Sequence, residues 1–234
     1  MTKIVGLIGG ITPEATIDYY RRTVAGYRDK HREGRHPAIV ITSLDLQYAV
    51  QLFATRRYDE LADTLMREVA RLERAGAAFG AIACNTAHVV FDDIARRSTL
   101  PLLSIVDVTC AAAKHRGIRQ PALFGTRFLM REPLYRRVFA RAGLNVLLPS
   151  SADQEIIHAK YMDEIVAGVL KVETRDILIT IAKRMRDHDG ADGLILGGTE
   201  FSPLLSGVEI DGLPLLDTTR LHVEAIVEKL SGVH

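Results

Sequence analysis

Short apolar, β-branched runs alternate along this chain with longer stretches of helical periodicity, and that alternation narrows the fold more than any other feature. The apolar runs fall at residues 4–8, 38–41, 80–83, 102–105, 122–124, 146–148, 194–196 and 215–216. Continuous apolar runs of this length suit strands covered on both faces, the condition of a parallel sheet. Helical patterns lie between them at 15–27, 59–74, 89–97, 108–115, 132–142 and 175–188. Start and stop signals agree: Thr12-Pro13-Glu14 opens one pattern, and Gly76 and Gly143 follow the ends of two others. The order predicts a doubly wound α/β fold.

The two halves echo each other. GAAFGAIACNT at 76–86 and GADGLILGGTE at 190–200 both open Gly-Ala, run through small and apolar residues, and break into polar ones, with Cys84 opposite Gly198. LIGG followed by YYRRTV (7–24) likewise resembles LFGT followed by YRRVF (123–139). Each half therefore begins strand–Gly–helix and later carries strand–polar turn–helix, as a duplication would leave it. At 234 residues the chain can form two small domains. The expected division is 1–103 with 211–234 for the first and 104–210 for the second. Open α/β sheets bind ligands outside the carboxyl ends of their strands. The turns carrying Cys84 and Gly198 are accordingly expected to face each other across a shared interdomain cleft.

Charge excludes some partners. Lys plus Arg number 30 against 29 for Asp plus Glu, and no basic stripe with interleaved aromatics points to nucleic acid. No run approaches the ~18 apolar residues of a membrane span, and the opening MTKIVGLIGGITPEAT breaks too soon for a signal peptide. Two cysteines without a spacing motif argue against a disulfide framework or a zinc site. A reducing cytoplasm is expected, where a free thiol persists as a reagent.

Cys84 stands out because it follows a predicted strand and precedes a predicted helix, in the run Cys84-Asn85-Thr86-Ala87-His88. Backbone N–H groups at such a place favour thiolate, although a buried inert cysteine fits the position equally well. Asn85 and Thr86 add donors for a carboxylate. Cys110, in VTCAAAK, reads as core. Gly9-Gly10 fits neither dinucleotide fingerprint nor P-loop, and a tight turn near a ligand or a plain structural turn is expected there. Thr126 is a candidate anion donor or a helix cap. Glu200, after Thr199, is a candidate general acid or base, or the acid favoured at a helix start. His88 and Asp92 have metal-compatible spacing but no third ligand, so a surface pair on a helix is expected. His158 and His222 have no partners in sequence either.

With CNTAH at 84–88 and LGGTE at 196–200, the chain resembles the cofactor-independent aspartate/glutamate racemases. The likeness extends to GLIGGITPEATIDYYRR at the start, the turn around Gly125-Thr126, IIHAKYMDEIVAG at 156–168 and LLDTTRLHVEA at 215–225. The resemblance implies two pseudo-symmetric flavodoxin-like, Rossmann-like domains with the site between them, a homodimer, an amino-acid or dicarboxylic-acid substrate, and neither metal nor pyridoxal phosphate. It implies a proton-abstracting thiolate at Cys84 and a second thiol on the opposite face, where this chain has Gly198. It also implies substrate contacts from Gly10, Asn85, Thr86, Thr126, Gly198, Thr199 and Glu200. Basic residues that aspartate-selective members carry are missing from 43–47 and 165–168, which implies glutamate-tolerant or broader specificity. Three functions compete. One is a racemase whose second proton comes from water beside Gly198, relayed by Glu200 or Thr199. The others are a one-face decarboxylase or isomerase, and a binding protein without turnover.

Overall fold

The computed structural model describes residues 3–31, 35–205 and 210–232, and the chain divides into two compact units. Unit 1 comprises Met1–Ile105 with Thr219–His234, and unit 2 comprises Val106–Thr218. The sequence predicts a return to the first domain at residue 211. The last strand of unit 2 pairs inside that unit, and this carries the crossing on to Thr218.

Unit 1 is built on β1 (Ile4–Gly9), β2 (Ala38–Ser43), β3 (Phe79–Ile82) and β4 (Leu102–Leu103). All pair parallel in the order β2-β1-β3-β4. Unit 2 is built on β5 (Pro121–Phe124), β6 (Gly193–Leu196) and β7 (Leu215–Asp217), parallel in that order. Leu147 adds a parallel bridge to Ala122 on the open side of β5. With Leu147 counted as a vestigial second strand, both units have the same order: second, first, third, fourth. The duplication read from the two sequence echoes thus has a topological counterpart.

The parallel pairing follows from burial. Every residue of β3, β5 and β6 is buried, so these strands alternate nothing and read as continuous apolar runs. In unit 1 the sheet packs Val5, Leu7, Phe79 and Ala81 against Tyr19 and Tyr27 of the helix Pro13–Lys30 and against Val223, Ile226 and Val227 of the helix Thr218–Ser231. Full burial of such side chains contributes roughly 1.5–3 kcal/mol each.

Two predicted strands end differently. The run at 102–105 stops at Leu103, because Ile105 already begins the helix Ile105–His115. The run at 146–148 reduces to the single bridge at Leu147. The sequence reading also lacks several helices, among them Leu46–Ala54 and Ser151–Lys160, which start on side-chain caps: Asp45 accepts from the Tyr48 amide and Ser150 from the Asp153 amide.

Candidate functional site

The turn after β3 carries Cys84, with Ala83 between it and the strand. The Ala83 amide donates to the Ile8 carbonyl (2.9 Å), which holds this turn beside the end of β1. The chain then enters a 3₁₀ turn, Thr86–Val90, before the α-helix Phe91–Arg97. The helix start predicted at residue 89 is therefore a tighter turn that begins earlier and offers less of a helix dipole to the thiol. Cys84 is half-buried, whereas Asn85 and Thr86 are buried. Burial lifts the Cys110 thiol pKa, with the nearby Asp107 adding to it, which suits the expected core role.

His88 is a correction to the sequence reading. It is fully buried while Asp92 is exposed, so the two form no surface pair. The Ile105 amide donates to His88 Nε2 (3.2 Å), and this leaves Nδ1 to carry the ring proton and donate to the Cys84 carbonyl (2.8 Å). The imidazole is thereby fixed in one neutral tautomer directly behind the cysteine. Burial pushes its pKa down to about 4, against a small opposing pull from the Cys84 carbonyl. His222 follows the same logic one layer back. Its Nε2 donates to the Leu103 carbonyl (3.2 Å) and its Nδ1 accepts from the Tyr19 hydroxyl (2.9 Å). Burial, and next the neighbouring His88, lower its pKa to about 3. Both histidines brace the strand ends of unit 1 as neutral connectors.

Gly10 closes the neighbouring turn. Its φ is +83°, and a Cβ there would collide with the Leu44 carbonyl and Ser43 Oγ. Its amide donates to Thr16 Oγ1 (2.9 Å), so this donor is engaged within unit 1. The turn lets β1 run close to the end of β2, and of the two sequence readings the structural one accounts for the glycine.

In unit 2 the equivalent turn follows β6, with Gly197 between the strand and Gly198. The Gly197 amide donates to the Phe124 carbonyl (2.7 Å), which places this turn beside Gly125-Thr126 at the end of β5. Thr126 is the N-cap of the short helix Arg127–Arg131, its hydroxyl accepting from the Leu129 amide (3.1 Å). The Arg127 amide donates to His158 Nδ1 (3.2 Å). Burial and then the Arg127 charge lower the His158 pKa. His158 belongs to the helix Ser151–Lys160, which runs straight into a π-helical turn, Tyr161–Ile165, closed by the Val166 amide on the Tyr161 carbonyl (2.9 Å).

Tyr161 occupies the ground beside Gly198. A Cβ added at Gly198 would lie 2.5 Å from Cε2, 2.8 Å from Cζ and 2.9 Å from the hydroxyl oxygen of Tyr161. The racemase reading of the sequence expects water beside Gly198; the phenol ring lies against the position a Gly198 side chain would take. The Tyr161 hydroxyl donates to one carboxylate oxygen of Glu200. Glu200 and Thr199 are buried, and the second Glu200 oxygen, Oε1, has no partner among the described residues. No sequence signal at Gly198 points to this tyrosine, which lies inside the quoted stretch IIHAKYMDEIVAG and reads there as one more helical residue.

Glu164 lies in the same π-turn and holds Lys160 (2.8 Å) and Lys171 (3.2 Å), while Thr174 donates to its other oxygen. Lys160 first, then Thr174, hold its pKa down to about 2. Among the described residues no group of three His, Cys, Asp or Glu side chains is placed to hold a metal, and no helix is long and apolar enough to cross a membrane.

The structure thus assembles the predicted residues in two sets. Gly10, Cys84, Asn85 and Thr86 lie at the strand ends of unit 1, and Thr126, Gly198, Thr199 and Glu200 lie at those of unit 2.

Residues 8–226 match the family model described as Asp/Glu/Hydantoin racemase. The broad specificity amino-acid racemase RacX of Bacillus subtilis is 23% identical over 92% of this chain and 93% of its own length. Among solved structures, a protein from Yersinia pestis provisionally assigned as an Asp/Glu racemase aligns with a TM-score of 0.89 and 32% identity, over 98% of this chain and 99% of that one. An aspartate racemase homologue from Pyrococcus horikoshii gives 0.83 and 30%, over 99% of this chain and 100% of that one.

Proposed function

We propose that this chain, which belongs to the Asp/Glu/hydantoin racemase family, inverts the α-carbon of a free amino acid by cofactor-independent proton transfer through Cys84. The observation that carries this reading is the turn at 84–86: a half-buried thiol at a strand end, flanked by buried Asn85 and Thr86, with its carbonyl pinned by His88. Cys84 thiolate removes the α-proton of one enantiomer, and the Cys84 thiol returns a proton to the planar intermediate formed from the other. Asn85, Thr86, Thr126 and Thr199 serve as donors to the substrate carboxylate, which takes up charge as the α-proton leaves.

The substrate is an aspartate- or glutamate-type amino acid, with a tolerant side-chain pocket. Lys160 and Lys171 are bound to Glu164, so neither is given over to a substrate side-chain carboxylate. The resemblance to a broad-specificity racemase points the same way.

The test is proton NMR of L- and D-aspartate and L- and D-glutamate in deuterated buffer, with chiral analysis of the same samples. Loss of the α-proton signal with inversion is expected. Absence of exchange from all four would overturn the reading.

A second reading, a one-face enzyme acting on a dicarboxylic acid, is favoured by one feature: Gly198 supplies no thiol for the opposite face. Exchange with strict retention, or carbon dioxide release from substituted malonates, would select it.

A further inference from the structure

We infer that Tyr161 and Glu200 together form the acid–base group for the second face of the substrate, in the place left by the missing thiol. The inference rests on the racemase reading above and supplies what that reading lacks. A proton-transfer group on the far face has to come from near the turn after β6, and Gly198 cannot offer one. The Tyr161 hydroxyl oxygen is 2.9 Å from where a Gly198 Cβ would lie, so a titratable oxygen stands next to the absent side chain. Its hydrogen bond to Glu200 gives it a proton partner, as a general acid or base needs a group to orient it and exchange with it.

Two further observations point to a working pair and not to simple packing. Glu200 is buried with Oε1 unpartnered among the described residues, and a buried oxygen kept without a partner carries a cost that a catalytic role accounts for. Tyr161 also opens a π-helical turn, a local irregularity frequent at functional sites.

The proton balance closes without any added reagent. In the acid form Glu200 carries a proton and donates it to the Tyr161 oxygen as the Tyr161 O–H gives its own proton to the α-carbon of the carbanion. The result is phenol and carboxylate. In the reverse direction the Tyr161 oxygen takes the α-proton while its O–H proton passes to Glu200. Cys84 is thiolate when the pair is in its acid form and thiol when it is in its base form, so each turnover moves one proton onto carbon and one off it.

The test follows each enantiomer separately in deuterium oxide, with L- and D-aspartate and L- and D-glutamate as probes, for the wild type, Tyr161→Phe, Glu200→Gln and Cys84→Ala. The expected result is asymmetric. Tyr161→Phe and Glu200→Gln lose exchange from one enantiomer by about 10²–10⁴-fold and keep exchange with retention from the other, while Cys84→Ala shows the opposite preference. Retained exchange from one enantiomer is also the folding control, because a collapsed protein loses both. Glu200→Gln leaves the ring in place if Tyr161→Phe folds poorly. Interconversion at the wild-type rate in both variants would overturn the inference while leaving the racemase reading intact. Loss of both enantiomers in variants that melt like the wild type would also overturn it, assigning the pair a structural role. A wild type that exchanges neither enantiomer of either amino acid would overturn both readings at once.

Discussion

The turn after the third strand occurs twice in this molecule, at Cys84 and at Gly198, each separated from its strand by one residue. What stands behind each turn differs. Cys84 keeps its thiol on the turn and is braced from behind by His88 and His222, two buried imidazoles with fixed tautomers. Gly198 has no side chain, and the space is taken by Tyr161, which comes from a different element and is tied to Glu200. One turn therefore carries a thiol of its own, and at the other a side chain from a neighbouring helix fills the space. A glycine at the matching position does not leave that position empty.

The largest expected effect breaks the first half of the comparison. Cys84→Ala should lower interconversion by about 10²–10⁴-fold, the contribution typical of one positioned acid or base. The fold should survive, since the thiol is only half-buried. Rates from chiral chromatography, beside a thermal melt of the same preparation, check both points. A variant within a factor of a few of wild type would remove Cys84 from the mechanism.

Acid should separate the two units next. His88 and His222 are held neutral in the folded state at pKa values of about 4 and about 3, against an ordinary value of 6.5. The unfolded chain binds more protons across that window, so stability is fully present above the unfolded value and falls as pH drops from there towards the folded values. By about pH 5 the loss from the two groups is on the order of a few kcal/mol, at 1.36 kcal/mol per unit for each. Both residues belong to unit 1. Amide hydrogen exchange followed by mass spectrometry at about pH 7.5 and about pH 5 should, after correction for intrinsic rates, show opening that grows in the unit 1 strands before those of β5 and β6. Equal loss in both units would mean the histidines do not set the acid response.

The comparison also explains what the sequence makes legible. The α/β class, the parallel sheets and the paired turns were readable because β1, β3, β5 and β6 are buried almost throughout and leave unbroken apolar runs. Cys84 is readable as a candidate because the strand-end turn that carries it is local in sequence. Tyr161 is not, since its contact with the Gly198 position is one that periodicity cannot encode, and its π-turn is indistinguishable in sequence from ordinary helix. His88 departs from its pattern for a related reason: an i,i+4 spacing with Asp92 assumes a regular helix, whereas the chain here forms a 3₁₀ turn and the imidazole is buried. The short strand at Leu147 and the helix Ser151–Lys160 depend on pairing and capping more than on pattern.

Adding a side chain at Gly198 sharpens the second half of the comparison. Gly198→Cys should cost about 1–3 kcal/mol, because the new Cβ meets the Tyr161 ring at 2.5 Å and the ring or the turn has to shift. Tyr161→Ala alone should cost about 3–5 kcal/mol through the cavity it leaves. The double variant should cost less than the sum, with a coupling of about 0.5–3 kcal/mol. Urea denaturation of the four proteins measures that coupling, and strict additivity would mean that the ring and the Gly198 position do not compete for one space.

The smallest effect concerns the first-strand turns, where the two units again solve one problem in different ways. Thr12 and Thr126 both sit at N-caps, but Thr12 makes no side-chain cap bond and its helix starts on Pro13, whose missing N–H leaves one fewer orphan donor. Thr126 accepts from the Leu129 amide, so its hydroxyl is part of the helix start in unit 2. Thr126→Ala should therefore cost about 1 kcal/mol, the usual value of a lost cap, while Thr12→Ala should stay within about 0.5 kcal/mol of wild type. Thr126→Ser, which keeps the oxygen, should recover most of the stability. If Thr126 also touches the substrate carboxylate, Thr126→Ala raises KM beyond what the stability change accounts for, and Thr126→Ser restores it. A cap without a substrate role leaves KM where it was, so the same pair of variants decides whether this turn in unit 2 does one job or two.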